Sequence, residues 1–183
     1  MEVRGSVIKG IDEFVKSTHS EGYDTWKSKL SNETLSIMEK AVPSKWYPLN
    51  EGIVEPTTQM CNLFYSDKKK GAWESGRFSA ETALSGIYKV FVLISTPAFM
   101  LKRASRVLTT FYNPTKIEVK NSTDKSMLLH LTELPTKNEL IEYRIGGWME
   151  KALEICGCKN LKINVPHSIA KGDPLTAYDI TWE

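Results

Sequence analysis

The chain has 183 residues and a mass of 20.7 kDa, a size that suits one domain with a single hydrophobic core. Hydrophobic residues make up 41% of it and charged residues 25%, which excludes the composition of a disordered chain. Lys and Arg number 24 against 22 for Asp and Glu, so the net charge of +2 gives no electrostatic reason to expect nucleic acid. We therefore expect one domain over residues 1–183 that does not bind nucleic acid.

Targeting signals and cysteines bear on the compartment. No stretch reaches the roughly 18 to 20 successive apolar residues of a membrane span, and the first residues lack the apolar segment of a signal peptide. The three cysteines, Cys61, Cys156 and Cys158, are too few and too unevenly spaced for the disulfide framework of a secreted protein. We therefore expect reduced thiols, no membrane span and a cytoplasmic location.

The N-terminal half has the pattern of helices separated by Gly and Pro. Ile8, Ile11 and Val15 recur at helical spacing. Ser31 or Asn32 is suited to cap a later helix. Two further predictions are a helix with Pro56 in its first turn and a solvated loop at the three lysines of residues 68–70.

Two long helices are predicted next, from Ser79 to about Ile94 and from Pro97 to Tyr112. Tyr88 belongs to the apolar face of the first. In the second, Arg103 and Arg106 lie largely off the apolar stripe. Asn113-Pro114 is expected to end that helix.

After Asn113-Pro114 the apolar period changes from 3.6 to 2, which is typical of strands. KIEVK and KSMLLHLTEL alternate around an NSTD turn and predict a hairpin. NLKINV and TAYDITW alternate in the same way, with the turn Gly172-Asp173-Pro174 between them. A helix from about Asn138 to Cys156, with Ile141, Ile145 and Trp148 on its buried stripe, separates these two strand pairs.

These elements predict an α+β fold in which a helical N-terminal layer packs on a four- to five-stranded antiparallel sheet. The fifth strand would come from the segment Val3 to Ile8. The helix that ends near Cys156 would cross the sheet.

Chemical motifs are sparse. Cys156 and Cys158 could chelate a metal, but a closed zinc site needs four ligands, and His167 is the nearest further donor. Small buried thiols at a helix end are the favoured interpretation. His130 is expected on the outer face of its strand. No Walker loop, dinucleotide fingerprint or serine elbow occurs, so we predict no catalytic residue, no metal and no cofactor.

Gly146 and Gly147 stand inside the predicted helix, where each costs about 1 kcal/mol relative to alanine. Two interpretations compete. The favoured one is close packing of this helix on the sheet. The other is that the glycines leave room for a bound molecule beside Trp148.

The Gly-Trp of that helix, followed by KINVPHSIAKGDPLTAYDITW, resembles the 4-vinyl reductase domain. That domain shares a superfamily with the haem nitric-oxide/oxygen sensor domains and the Bet-three-like TRAPP subunits. Gly5 after a short strand, GYDTWKSKL and PSKWYP agree with it more loosely. The resemblance implies a helical layer against an antiparallel sheet, frequent dimerisation, and small or apolar molecules bound between helices and sheet.

The sequence departs from its relatives at their reactive positions. Where the 4-vinyl reductase pattern places cysteines around the Gly-Asp, this chain has His167 and Thr176. Haem sensors ligate iron through a histidine on the helix that corresponds to Pro97–Tyr112, and they bind the propionates with Tyr-x-Ser-x-Arg. This chain has neither feature, so the resemblance does not carry haem over to it.

We therefore expect a non-enzymatic ligand-binding or sensory module for a small, mostly apolar molecule, acting as a homodimer or through a protein partner. Its predicted pocket lies between the helical layer and the sheet, beside the Gly147 gap, with an arginine at its mouth. The residues assigned to it are Tyr88, Phe99, Arg103, Arg106, Tyr112, Gly147 and Trp148. The alternatives are a TRAPP-like scaffold and an enzyme acting on a tetrapyrrole-like substrate.

Overall fold

The computed structural model describes residues 1–84, 108–134 and 136–183. The first of these ranges is mostly helical. Its elements are β1 (Glu2–Arg4), α1 (Gly5–Thr18), α2 (Tyr23–Lys27), α3 (Asn32–Lys40), β2 (Trp46–Pro48), α4 (Glu55–Phe64) and α5 (Lys68–Leu84). Within the described ranges, no helix is long and apolar enough to cross a bilayer.

The second half alternates strands with one long helix. After a helical turn at residues 108–111 it contains β3 (Tyr112–Asn113), β4 (Lys116–Ser122), β5 (Ser126–Glu133), α6 (Glu139–Ile155), β6 (Lys162–His167) and β7 (Thr176–Thr181). The predicted hairpin, the long helix and the final strand pair are all confirmed.

Local capping groups start and stop these helices as the sequence predicted. Ser31 caps α3, because its Oγ accepts from the Thr34 backbone N–H at 3.2 Å. Asn138 caps α6 in the same way, accepting from the Leu140 N–H at 2.9 Å. Gly157, with φ of +92°, follows the end of α6, where the left-handed conformation favours glycine.

The predicted lysine loop and the predicted start of the next helix are wrong. Residues 68–70 form the first turn of α5, which begins eleven residues before Ser79. The reason is Asp67, whose Oδ1 accepts from the backbone N–H groups of Lys69 and Lys70 at 3.0 and 3.2 Å and so caps the helix. The rest of the predicted helix to Ile94, and residues 97–107 of the helix after it, lie outside the described residues.

The main sheet has four antiparallel strands in the order β4-β5-β7-β6. Its α+β architecture confirms the predicted fold class. The buried face carries the alternating apolar residues of the strands, as in the pair Leu129 and Tyr178 and the pair Ile163 and Ile180. His130 lies on the opposite face, as expected from its place between two buried leucines.

The predicted fifth strand of this sheet is wrong. β1 ends at Arg4 and pairs instead with β2 and β3 in a separate three-stranded sheet, where Val3 lies opposite both Tyr47 and Tyr112. The chain then turns into α1 at once. The apolar residues Ile8 and Ile11, at helical spacing, are buried on that helix.

Glycines allow α5 and α6 to pack with their backbones in contact. A Cβ at Gly76 would collide with the Arg144 carbonyl, and a Cβ at Gly147 would collide with the Trp73 carbonyl. Gly146 faces the Trp73 ring in the same interface. The glycines of α6 therefore pack against the helix α5. The sequence suggested packing on the sheet or a gap for a ligand, and neither explains these glycines.

Polar contacts reinforce the α5–α6 interface along one side. Arg77 of α5 forms ion pairs with Glu150 and, at 2.8 Å, with Glu154 of α6. The Trp73 indole N–H donates to Glu150 at 2.7 Å. These contacts set the register of the two helices at the point where their backbones meet.

A buried carboxylate ties α6 to the end of the chain. Glu142 is fully buried and accepts hydrogen bonds from the hydroxyls of Ser168 and Thr176 at 2.5 and 2.6 Å and from the Ala170 N–H at 3.2 Å. The Tyr178 hydroxyl donates to the Glu142 carbonyl at 2.9 Å, and burial raises the pKa of Tyr178 well above its ordinary value, so it remains a donor. α6 is therefore fixed both by α5, through its glycines, and by the end of the chain, through Glu142.

The α5–α6 contact predicts a large effect of one methyl group. Gly76→Ala should lower the free energy of unfolding by about 1–3 kcal/mol, because the new Cβ meets a rigid backbone carbonyl. For a chain of this size that corresponds to a melting temperature lower by roughly 2 to 12 °C. Thermal unfolding followed by circular dichroism measures the shift.

Gly10→Ala is the matched control. Gly10 also lies inside a helix, but a Cβ there would sit 3.5 Å from the Ser79 Oγ, an ordinary contact. This variant should therefore be more stable than the parent, by up to about 1 kcal/mol of helix propensity. A Gly76→Ala protein that is also stabilised would show that the two helices do not touch as described.

Candidate functional site

A cavity of about 230 Å³ lies among the helices, between α1, the end of α5 and α6, and next to β3. None of its lining residues comes from the strands β4 to β7. The cavity therefore lies within the helical layer, whereas the sequence predicted a pocket between that layer and the sheet. Its walls are mostly apolar. The large apolar side chains that line it are Val7, Leu108, Phe111, Ile145 and Trp148.

Each wall follows from the element that carries it. Val7 belongs to the buried stripe of α1, and Ile145 and Trp148 belong to that of α6. The rings of Phe111 and Trp148 lie 6.5 Å apart at 60°, a tilted arrangement that aromatic pairs favour. The cavity is thus bounded by side chains from three helices that meet beside β3.

Arg144 is the unusual residue of this cavity. It lines the cavity from α6, and its side chain is 2% exposed. Its Nη1 lies 3.4 Å from the Tyr112 hydroxyl, whereas its Nε and Nη2 are buried without a hydrogen-bond partner in the part of the chain that the structure describes. A buried guanidinium without a carboxylate is costly, since desolvation is not offset by an ion pair.

Arg144 also lies within electrostatic reach of Cys61 on α4. Burial raises the pKa of the Cys61 thiol to about 12, and the charges of Lys68 and Arg144 oppose that increase. Arg144 therefore lies between the cavity and the buried residues of α4. Because its backbone carbonyl abuts Gly76, the α5–α6 contact holds it in this place.

Tyr112 is placed beside Arg144 by strand pairing. It belongs to β3 and pairs with Val3 of β1, which brings the segment after residue 108 back to the start of α1. Its side chain is buried and lines the cavity. Tyr112 and Arg144 therefore form a polar pair in an otherwise apolar wall.

The opposite wall carries polar groups near the solvent. Lys9 and Glu13 of α1 and Ser79 of α5 line it, and Glu13 is exposed. The Lys9 ammonium donates to the Met38 carbonyl at 2.9 Å. A molecule that enters the cavity would pass a rim whose two charges are of opposite sign.

The predicted site residues have different outcomes. Tyr112 and Trp148 both line the cavity. Gly147 does not, because the backbone of α5 occupies the space beside it, and the ligand gap inferred there is wrong. Tyr88, Phe99, Arg103 and Arg106 lie outside the described residues.

Arg144 was not predicted, although the sequence holds a signal for it. It lies three residues after Ile141 and four before Trp148, so it shares the buried face that those residues define. Charged residues rarely occupy such positions without a partner. An arginine on the apolar stripe of a helix is therefore a functional signal that could have been used.

A second, open groove of about 600 Å³ lies on the outer face of the main sheet. It is lined in part by His130, His167 and Asp173, and the last two lie 3.7 Å apart. Among the described residues, no three His, Cys, Asp or Glu side chains are arranged to hold a metal ion. Both histidines line this groove, but no third metal-ligating side chain joins them among the described residues.

The paired cysteines at the end of α6 are poorly suited to bind metal or to act as nucleophiles. Burial, with a smaller contribution from Cys158, raises the pKa of Cys156 to about 12. Burial also raises the pKa of Cys158. Since the thiolate is the reactive form, burial lowers the reactivity of both side chains.

Comparison with known proteins identifies the fold and nothing narrower. No family model matches the sequence, and no curated protein matches it. Solved structures do match. An H-NOX protein from S. oneidensis in the Fe(II)NO state has a TM-score of 0.75 and 10% identity, over 98% of this chain and 99% of its own.

Two other structures agree. The Fe(II) unliganded H-NOX protein from K. algicida has a TM-score of 0.73 and 10% identity, over 98% of this chain and 96% of its own. The IWP-051-bound H-NOX from Shewanella woodyi in the Fe(II)CO state has a TM-score of 0.68 and 13% identity, over 97% of this chain and 93% of its own. The chain therefore has the fold of the H-NOX proteins, as its resemblance to the haem nitric-oxide sensor domains implied.

Proposed function

We propose that this protein is a haem-free binding or sensory module that holds a small, mostly apolar molecule in the cavity between α1, α5 and α6. The observation that carries the proposal is the cavity itself, with apolar walls on three helices and, in Arg144, the one buried cation among the described residues. Pockets of this kind, apolar with few polar groups, are the usual form of small-molecule sites. The proposed output is a change in the contacts of a homodimer or of a protein partner.

The histidines of the chain do not fit haem in this cavity. The whole sequence contains three, and none of them lines it. His130 and His167 line the groove on the outer face of the sheet, and His19 lies at the end of α1, stacked on Phe64 with ring centroids 4.2 Å apart. No imidazole is therefore available to an iron in the cavity.

The size of the cavity also argues against a tetrapyrrole. Sites for small ligands and cofactors usually measure about 300–1,000 Å³. The 230 Å³ between these helices lies below that range. This supports a compact ligand over a tetrapyrrole. The two alternatives inferred from sequence, a tetrapyrrole-directed enzyme and a TRAPP-like scaffold, stay predictions.

Ferrous haem added to the purified protein should give no stoichiometric complex. Absorption spectroscopy should show only the broad spectrum of free or loosely bound haem, because no histidine reaches the cavity. A five-coordinate histidine-type Soret band that is lost in His130→Ala would contradict the haem-free proposal. His19→Ala and His167→Ala complete the set, since they remove the other two imidazoles.

A true ligand should raise the melting temperature. At about 100 times its dissociation constant a ligand stabilises the native state by about 2.7 kcal/mol, or roughly 5 to 11 °C for a chain of this size. The measurement is a thermal-shift screen of fatty acids, isoprenoids and compact aromatic molecules, together with mass spectrometry of molecules that co-purify with the protein.

Two variants of one residue locate the response. Ser79→Phe should fill the cavity and abolish the shift, whereas Ser79→Ala should leave it unchanged, because Ser79 lines the cavity from α5. A protein that carries no extractable molecule and responds to no compound would refute ligand binding. A shift that survives Ser79→Phe would place the ligand elsewhere.

We also propose a homodimer formed through the outer face of the sheet. The edge strand β4 is protected by Glu118, which pairs with Lys116 at 2.9 Å and with Lys120 at 2.6 Å, so edge pairing is disfavoured. The groove on the outer face contains the apolar residues Leu128 and Leu175. Light scattering at tens of micromolar should give twice the chain mass, and Leu128→Lys should give the monomer.

Ser122→Lys, at the exposed end of β4, is the control and should leave the dimer intact. The monomer mass for the unmodified protein would refute the homodimer.

A further inference from the structure

We propose that Arg144 binds the carboxylate of the ligand, and that the ligand is a compact apolar acid about the size of benzoate. This inference rests on the proposed function, because it names the class of molecule that the cavity holds. It begins from the geometry of one buried side chain.

The two nitrogens of Arg144 that lack partners form one edge of its guanidinium group. Nε–H and Nη2–H point to the same side of the planar fork, whereas Nη1, on the other side, faces the Tyr112 hydroxyl at 3.4 Å. That free edge matches the two oxygens of a carboxylate, which accept from it in a bidentate pair. Both nitrogens are buried without a partner, and Arg144 lines the cavity, so a carboxylate that reaches this edge from the cavity would supply the missing acceptor.

No carboxylate of the chain takes this role. No ion pair joins Arg144 to an acidic side chain among the described residues, and residues 85–107 and 135 contain no Asp or Glu at all. Glu142, two positions earlier on α6, is occupied by Ser168 and Thr176. Glu13 lines the cavity but is exposed to solvent at its rim.

The charge of Arg144 favours a carboxylate over a phosphate. One carboxylate would neutralise one guanidinium and leave a neutral buried pair. A phosphate dianion would leave a net negative charge in an apolar wall made of side chains such as Ile145 and Trp148. The ligand predicted here therefore carries one negative charge.

The cavity sets the size of the apolar part. An engineered apolar cavity of about 150 Å³ holds benzene. The 230 Å³ here leaves room for one ring of that size and a carboxyl group. Phe111 and Trp148 offer aromatic surfaces to such a ring.

The test compares benzoate with benzyl alcohol, a neutral molecule of similar shape, by isothermal titration calorimetry and thermal shift. Benzoate should bind the unmodified protein at least about tenfold more tightly than benzyl alcohol. Arg144→Met should weaken benzoate binding by at least about tenfold and leave benzyl alcohol binding unchanged or tighter. Arg144→Lys keeps the charge without the fork and should bind benzoate with intermediate affinity.

Stability of the ligand-free protein separates a ligand-binding arginine from a structural one. Arg144→Met should melt at the same temperature or higher, because it removes a buried charge without a partner. A clear decrease in melting temperature, with benzoate affinity unchanged, would show that Arg144 is structural and would overturn this inference.

The two proposals fail differently. If benzyl alcohol binds in a manner blocked by Ser79→Phe but benzoate binds no better, the cavity is a ligand site and the role of Arg144 is refuted. If neither molecule binds and no compound from the broader screen shifts the melting temperature, both the ligand-binding function and the role of Arg144 are refuted.

Discussion

The backbone contact between α5 and α6 is the constraint on which the other features of this protein depend. Gly76 and Gly147 let the two helices approach until the carbonyls of Arg144 and Trp73 take the space of absent side chains. Arg77 holds the register through Glu154. The end of α5, with Ser79 and Ala83, lines the cavity together with α6 and α1. A larger residue in the contact would move the wall on which Arg144 stands.

The α5–α6 contact holds the charged guanidinium of Arg144 in a buried position that a charged side chain would not normally occupy. Arg144 is 2% exposed and, among the described residues, its side chain has one long hydrogen bond, to Tyr112, so no ion pair within that part of the chain offsets the cost of its desolvation. This cost agrees with the ligand-binding role proposed for Arg144, since sites that bind ligands commonly sacrifice stability. The buried carboxylate of Glu142, by contrast, has donors from Ser168 and Thr176 and is structural. Two buried side chains two residues apart on one helix thus differ in how fully the described residues satisfy their polar atoms.

A shared fold does not by itself fix which molecule a protein binds. The chain superposes on H-NOX structures over 98% of its length with TM-scores up to 0.75, yet its three histidines lie away from the cavity. A layer of helices against an antiparallel sheet can enclose different molecules, because the frame depends on buried faces and the ligand depends on a few side chains that line the gap. In this chain the residues that line the cavity include Arg144, Tyr112 and Trp148.

Local signals in the sequence determined most of the secondary structure and the fold class. Ser31 and Asn138 start helices by capping them, Gly157 ends one, and the alternation in β5 and β7 identifies the buried face of the sheet, because each signal acts within a few residues. The family resemblance also identified the fold correctly. Only the tertiary structure decided what Gly147 packs against, where β1 pairs, and that Arg144 is buried without a carboxylate. These depend on residues far apart in the chain, such as Trp73 beside Gly147 and Tyr112 beside Arg144, and no local pattern encodes which distant surfaces meet.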